Sequence, residues 1–522
     1  MSNRAPKAPV HDPFQPARDA FEQLIASMSG AALAHATESQ VEDETASQGN
    51  EVMRQILQGY LELRSLREQV GQVSQLKACG NRVRSRRRSL ESRFGRVHVM
   101  RAGVVPHQAP KGTPARFPLD QELNLPPEIY SHPVRRCVVE EVRKASFGEG
   151  VAALDRTTGA HVPKRQMEEL AKQAAQDFEA FYEQKKAQEP EDPGALLLVS
   201  ADAGGVCVRK EALREATWKA ADAEAEKAAE PPAKGDPMAG KKLRNHDKRM
   251  ATVTLVADQL RHVRTPEQIL ANIEGSANNE AQKPKPARAP KPTHKTLLPS
   301  LIKTTKEAIK DMLDEADRRD PEKVRETVCL LDGQEHQKEE VLGQAKQRNR
   351  LLVLILDIIH VIHYLWIAAK ALRAPALQWV WVVLYFGKLL RCTTDRDVSY
   401  VVAGISRSAT AAKLSADALK AVQTCTRYLL NNKAYLHYAV YLALGYPIAT
   451  GAIEGAIRYL IRDRMDITGA RWGLLCGDAV LRLRALNSND DIDEYWEFHL
   501  AQERLRHYPA RPANDNAFRA AA

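Results

Sequence analysis

Asp202, Asp332 and Glu454 are the residues of this 522-residue chain whose surroundings best suit chemistry on a charged substrate. Asp202 closes the apolar run 195–202, and Asp332 follows the apolar run 327–331 and precedes Gly333. Glu454 falls in the first turn of a helix expected to begin near residue 450, where the helix dipole tolerates negative charge. Carboxylates are hard oxygen donors of the kind Mg²⁺ (or Mn²⁺) binds while keeping several waters. Two such ions about 4 Å apart can activate a water or a 3′-hydroxyl and stabilise the leaving oxygen of a phosphodiester. An Asp after an apolar strand also serves as a turn or cap residue. Asp258 and Asp357 are rivals, because each also ends or follows an apolar run.

The basic residues suggest a polyanionic partner. There are 76 Lys+Arg against 66 Asp+Glu, a formal net charge of +10 that favours DNA, RNA or an anionic surface and is also met in surfaces that only aid solubility. Arg82, Arg84, Arg86, Arg87 and Arg88 read as a phosphate grip or as a solvated loop. Residues 94–101 then alternate apolar with polar, a strand with Arg96 and His98 on one side and Arg101 a candidate for the same side. Arg458 and Arg462 stand four apart on the expected Glu454 helix, there to hold DNA or to pair with Glu454 and Asp466. Trp472 reads as a core tryptophan or as a platform for an unpaired base, and Arg471 beside it joins the DNA-binding candidates. His360 and His363 lie on an apolar helix and read as core histidines ahead of ligands. Asp357 reads as a helix cap or as an outer partner of a metal site.

These residues need elements to hold them. With 44% hydrophobic residues the chain can fill real cores, and its length calls for two to four domains. Residues 1–48 read as a loose tail. From Met53 the apolar residues Met53, Ile56, Leu57, Tyr60 and Leu63 mark one face of a helix, opening an N-terminal region over 49–190 that contains a β-hairpin and a second helical zone with Met167, Leu170, Ala171, Ala174, Phe178 and Phe181 on one face. Residues 184–193 read as a linker. The run 195–202, a tight turn at Gly204-Gly205 and residues 206–209 read as two strands, with a third at 250–256, a fourth at 327–331 and a fifth at 351–356. Loose stretches fall at Pro231, Pro232, Gly235 and Pro237, and over 278–295, where Lys and Pro interleave. Residues 378–442 read as helices, and the tail beyond Pro509 as loose.

Seven cysteines are scattered singly with no CxxC pair, which argues against a zinc knuckle or a disulfide framework and for a reducing, cytoplasmic setting. The first 16 residues lack the apolar core of a signal peptide. The apolar stretches 351–369 and 375–390 read as buried elements rather than membrane spans, since the first carries Asp357, His360 and His363 and the second is short.

Three strands, a helix, a strand ending in an acid, a helix, a further strand and a late helix bearing an acid follow the order of a ribonuclease H-like fold. Several segments then resemble ISKra-type insertion-sequence transposases. The most specific is Gly445-Tyr446-Pro447-Ile448-Ala449-Thr450-Gly451-Ala452-Ile453-Glu454-Gly455-Ala456, continuing through Asp463-Arg464-Met465-Asp466-Ile467-Thr468-Gly469-Ala470-Arg471-Trp472. Ser92-Arg93-Phe94-Gly95, Leu123-Asn124-Leu125-Pro126-Pro127, Thr158-Gly159-Ala160, Ser200-Ala201-Asp202, Leu331-Asp332-Gly333, Asp357-Ile358-Ile359-His360 and Glu494-Tyr495-Trp496-Glu497-Phe498-His499 run in the same order, so the resemblance spans residues 50 to 507. It implies a DDE transposase with a helical insertion between the second Asp and the Glu, and its triad falls on Asp202, Asp332 and Glu454. Where the resemblance leads one to expect Asp-Gly-Lys-Gly, the chain reads Asp202-Ala203-Gly204-Gly205. If that turn required a positive φ at 203, Ala would cost about 1 kcal/mol.

The expectation is therefore an α+β protein. An N-terminal, mainly helical DNA-binding region (49–190) precedes a ribonuclease H-like mixed sheet (194–366), a helical insertion (367–445) and C-terminal core helices (446–508). It would bind the ends of an insertion sequence, cut phosphodiester bonds and join 3′-hydroxyl ends to target DNA with two Mg²⁺ or Mn²⁺ ions. It would act on DNA in the cytoplasm, associated with the nucleoid of a bacterial-type cell, as a homodimer or higher assembly and away from membranes. Two rivals stand beside it: a decayed or domesticated transposase that only binds DNA, and a structure-specific nuclease without strand transfer.

Overall fold

The computed structural model describes residues 11–186, 190, 192–229, 248–277, 289–412, 414–449, 451–467 and 469–508. The proline-bearing stretch at 231–237 and most of the Lys/Pro stretch at 278–295 lie outside them, as does the tail from residue 509. The chain divides into two compact units, Met1–Phe181 with Asp493–Ala522, and Tyr182–Ile492.

The first unit is built round a hairpin. Strands β1 (Arg82–Ser92) and β2 (Gly95–Val105) are antiparallel, with Ser92 opposite Gly95 and Arg86 opposite Arg101. The arginine run is thus itself a strand, and pairing with β2 outweighs its low apolar content. Gly95 has φ +112°, which suits the tight connection. The turn docks on a second short segment. The Gly159 N–H donates to the Arg93 carbonyl at 2.8 Å, and a Cβ at Gly159 would come within 2.6 Å of the Phe94 backbone. Glycine is required there by close approach.

The helix Glu38–Glu68 runs along the open edge of β2 and satisfies its backbone. Arg54 donates to the Arg96 carbonyl at 3.2 Å, the Gln58 amide bonds both the N–H (2.8 Å) and the carbonyl (3.0 Å) of His98, and Glu68 accepts from the Ala102 N–H at 3.0 Å. The expected helix is present, and its expected face divides, with Leu57 packed against the core of the hairpin. Met53, Ile56 and Tyr60 are exposed, while Val52, Gly59, Leu61 and Ser65 are buried. The helix thus meets the hairpin both through Leu61 and Leu57 and through the polar side chains that reach the edge of β2. The helix Gln15–Met28 and the first turns of Glu38–Glu68 occupy part of the stretch expected to be a loose tail. Met167, Leu170, Ala171, Ala174, Phe178 and Phe181 are buried together, as their spacing predicts. The last helix, Ile492–His507, belongs from Asp493 onward to this first unit rather than to the sheet-bearing one. The Tyr495 hydroxyl donates to the Ala174 carbonyl at 2.6 Å, His499 bonds Asp177 at 2.7 Å, and Glu503 pairs with the buried Arg135 at 2.8 Å.

The second unit holds a five-stranded mixed sheet in the order β5-β4-β3-β6-β7. Its strands are β3 (Leu196–Cys207), β4 (Lys248–Gln259), β5 (Thr293–Ser300), β6 (Thr327–Leu331) and β7 (Leu352–Leu356). The pairs β3–β4 and β4–β5 are antiparallel, whereas β3–β6 and β6–β7 are parallel. Both faces are covered, so the central strands are continuous apolar runs. Leu196, Leu198, Val328 and Leu330 point into a core with the helices Ile358–Leu372, Pro375–Leu390, Asp395–Ala411 and Ala416–Asn431. Leu197, Val199, Ala201, Cys329 and Leu331 point into another with Thr305–Arg319 and Val341.

Two strand expectations need correction. Gly204-Gly205 is no turn: β3 continues through it, and neither glycine nor Ala203 has a positive φ. The glycine serves packing instead, since a Cβ at Gly204 would lie 2.6 Å from Ile461 Cδ1 and 3.3 Å from Ile457 Cγ2. The conditional cost of Ala203 therefore does not arise. The second correction is β5, which the Lys/Pro run conceals. It lies at the sheet edge, where Pro299, opposite Val253, is tolerated. No helix among the described residues is long and apolar enough to cross a membrane.

Candidate active site

The parallel pairing of β3 and β6 brings two of the three acids together. Ser200 stands opposite Leu330, and its hydroxyl donates to the Leu330 carbonyl at 2.8 Å. Two residues further on come Asp202, still within β3, and Asp332, just past the end of β6. Asp202 lies within β3 and accepts from the Ala203 N–H at 2.6 Å. Asp332 makes the local bonds of a turn residue, accepting from the Gln334 N–H at 3.0 Å and the Gln334 side chain at 2.9 Å. Gly333, at φ +93°, turns the chain sharply behind it. The Tyr428 hydroxyl anchors the Asp332 carbonyl at 2.9 Å, and the Tyr428 ring stacks on Tyr364 at 3.7 Å.

A second pair of elements meets at the same end. The Asp357 N–H donates to the Leu331 carbonyl at 2.8 Å, which places Asp357 beside Asp332. Its carboxylate caps the helix Ile358–Leu372 by accepting from the Ile359 N–H at 2.8 Å. The Ile358 N–H donates to Ile448 at 3.0 Å and fixes the segment that leads into the helix Gly451–Ile457, which carries Glu454. Ile457 and Ile461 press that helix onto Gly204 of β3.

The acids sense one another. Burial raises the Asp202 pKa above the ordinary carboxylate value, and the negative charge of Asp332 adds to the rise. Burial also raises Glu454, with further upward pressure from the charges of Asp357 and Asp202, against which Arg462 acts. Among the described residues, the group of three whose ligand atoms all lie within 4.8 Å of one another is Asp357, His360 and Glu454, rather than the expected trio. Asp357 is fully buried, His360 half-buried and Glu454 open to solvent. Asp357 is thus both cap and neighbour of the site. His360 belongs to the site, not to the core, and the more distant His363 is exposed. The signal for His360 was its spacing: Asp at the N-cap and His three residues on share one side of the first turn.

The basic candidates separate into two groups. Arg82, Arg84, Arg86 and Arg87 are exposed on β1. Arg88 instead pairs with the buried Asp120 at 3.2 Å and donates to the carbonyls of Pro126 and Glu128, at 2.7 Å for the latter. Arg101 lies on the opposite side of β2 from Arg96 and His98, pairs with the same Asp120 and covers the Phe117 ring at 3.7 Å. Arg96 is exposed and pairs with Glu91 at 2.6 Å.

In the second unit, the backbone winds as a π-turn over Arg458–Arg462. Arg458 is exposed and lies 3.9 Å from Asp463, the ion pair it makes among the described residues, in place of the alternative pairs with Glu454 or Asp466. Asp466 is taken by Lys248 at 2.7 Å. Arg471 is exposed and donates to the Ala470 carbonyl at 2.7 Å. Trp472 is buried, donates from its indole to the Met465 carbonyl at 3.2 Å and lies under Arg464. Its backbone extends the end of β3, with Trp472 N–H to Cys207 at 3.0 Å and Arg209 N–H to Trp472 at 2.9 Å. It is a structural residue, not an open platform for a base.

Four carboxylates and an imidazole at one sheet end make an oxygen-rich donor set of the kind that holds hard divalent cations. No family model matches this sequence, and no curated protein matches it.

Proposed function

We propose that this protein is a DDE-type DNA transposase whose second unit has a ribonuclease H-like fold. The observation that carries the reading is the meeting of Asp202, Asp332 and Glu454 at one end of the sheet, each from a distant part of the chain. The strand order supports it: three antiparallel strands with the first central, then two parallel strands on its other side, the first of these ending in the second acid. Asp202 and Asp332 supply oxygen ligands from adjacent strands, and Glu454 supplies a third from a helix pressed onto Gly204. Two Mg²⁺ or Mn²⁺ ions bound there would activate the attacking oxygen and stabilise the leaving one. Ser200, Tyr428 and the Asp357 N–H hold the strand ends so that the acids keep their spacing. Arg462 provides positive charge beside them. The exposed arginines of β1 give the first unit a ribbon to grip the phosphates of the element ends. The protein works as a homodimer or higher assembly on DNA in the cytoplasm.

The test uses a duplex carrying the element's ends. Wild-type protein cuts it and joins the freed 3′-hydroxyl to a target duplex in Mg²⁺ or Mn²⁺. Asp332→Asn binds the same duplex but does not cut it. Binding with no metal-dependent cutting by the wild type would favour a decayed, DNA-binding protein. Cutting without joined products would favour a structure-specific nuclease.

A further inference from the structure

The liganding groups at the sheet end are not equivalent. Asp202 and Asp332 offer oxygen alone. Asp357, His360 and Glu454 offer two carboxylates and a ring nitrogen, with all three ligand atoms within 4.8 Å of one another. Ligands about 2.1 Å from one ion lie at most about 4.2 Å apart, so small side-chain rotations would close the set on an ion. Two features argue that a cation belongs here. Asp357, fully buried, and Glu454 are like-charged acids with ligand atoms within 4.8 Å of each other, and a cation bound between them would lower that repulsion. The first turn of the helix Ile358–Leu372 also holds Asp357 and His360 in place, with Asp357 fixed through its own cap bond to Ile359. Ligands carried on a rigid turn need little reorganisation to bind.

We propose that Asp357, His360 and Glu454 form a mixed nitrogen–oxygen site that takes a divalent transition-metal ion, Mn²⁺ in preference to Mg²⁺, while the Asp202–Asp332 side remains an all-oxygen site. Imidazole suits first-row transition ions, whereas Mg²⁺ prefers oxygen and is reluctant to shed water. This inference rests on the two-ion reading given above and adds to it an asymmetry between the ions. His360 is then a metal ligand on the first turn of its helix.

The experiment is pulsed electron paramagnetic resonance on the full chain loaded with Mn²⁺ alone, without DNA, together with Mn²⁺ and Mg²⁺ titrations. Wild-type protein should show ¹⁴N coupling from a coordinated imidazole. His360→Gln should lose that coupling and bind Mn²⁺ roughly 10–100-fold more weakly, with little change for Mg²⁺. His363→Gln, one turn further along and exposed, should keep the coupling. Asp357→Asn retains a capping side chain and should also weaken Mn²⁺ binding, which guards against a variant that merely misfolds. Mn²⁺ bound without ¹⁴N coupling in the wild type would overturn the mixed site and leave the two-ion reading standing. No Mn²⁺ or Mg²⁺ bound at all would overturn both.

Discussion

Ser200 and Leu330 face each other across parallel strands, and the Ser200 hydroxyl reaches the Leu330 carbonyl at 2.8 Å. That contact lies at the end of the parallel β3–β6 pairing that sets Asp202, within β3, beside Asp332, just past the end of β6. A slip of one residue would turn one acid to the opposite face. Replacing Ser200 with Ala removes a buried hydrogen bond and should cost about 1 kcal/mol, with weaker Mg²⁺ binding as the accompanying sign that the register bears on the site. Thermal melts with and without Mg²⁺ check both.

The raised carboxyls make a signed prediction about pH. A carboxyl with a raised folded-state pKa favours the fold while protonated, and that contribution is lost as the pH climbs from its unfolded value through its folded one. Metal-free Asp202→Asn should therefore match the wild type in stability near about pH 4 and exceed it near about pH 8, by a few degrees in Tm at most. Mg²⁺ should raise the Tm of the wild type and do so far less for the variant. A stability difference between the two that shrinks with rising pH would contradict the assignment.

Gly204 offers a packing test. A methyl group there would press on Ile461 and Ile457, so Gly204→Ala should cost about 1–3 kcal/mol and push the Glu454 helix off the sheet. Adding Ile461→Ala makes room and should recover ion binding. Gly205→Ala, whose nearest neighbour is the flexible Lys248 side chain, should be much milder. Denaturant melts paired with ion titrations measure all three.

The hairpin arginines should separate by role. Changing Arg84, Arg86 and Arg87 together to Ala should leave the melt unchanged and lower the slope of DNA affinity against salt by about 2–3. Arg88→Ala should instead destabilise the first unit by about 3 kcal/mol, because it leaves the buried Asp120 with less compensation.

Much of this arrangement could be read before any coordinates. The apolar run before Asp332-Gly333 marks a strand end and the one before Asp202 marks a strand, though not its end, while the helices between residues 358 and 431 follow from the apolar stretches there. What escaped did so for physical reasons. Gly204-Gly205 looks like a turn, yet glycine inside a strand serves equally where another element approaches closely. The edge strand β5 follows a Lys/Pro run and contains Pro299, both of which mask a strand. The stripe Met53, Ile56, Leu57, Tyr60 and Leu63 has helical spacing, but only part of it turns inward, because Arg54 and Gln58 of the same helix bond the edge of β2 beside Leu61. His360 shares its apolar helix with His363 and so resembles a core histidine, whereas its meaning lies in its offset of three from Asp357. Arg88 and Trp472 have types that suit DNA, but burial and local partners commit them to the fold.

The most direct test of the central claim is anomalous diffraction from a crystal of the full chain soaked in Mn²⁺. Two peaks about 4 Å apart, one against Asp202 and Asp332 and the other against Glu454, are expected. Peaks confined to other parts of the surface, with these carboxylates splayed apart, would contradict it.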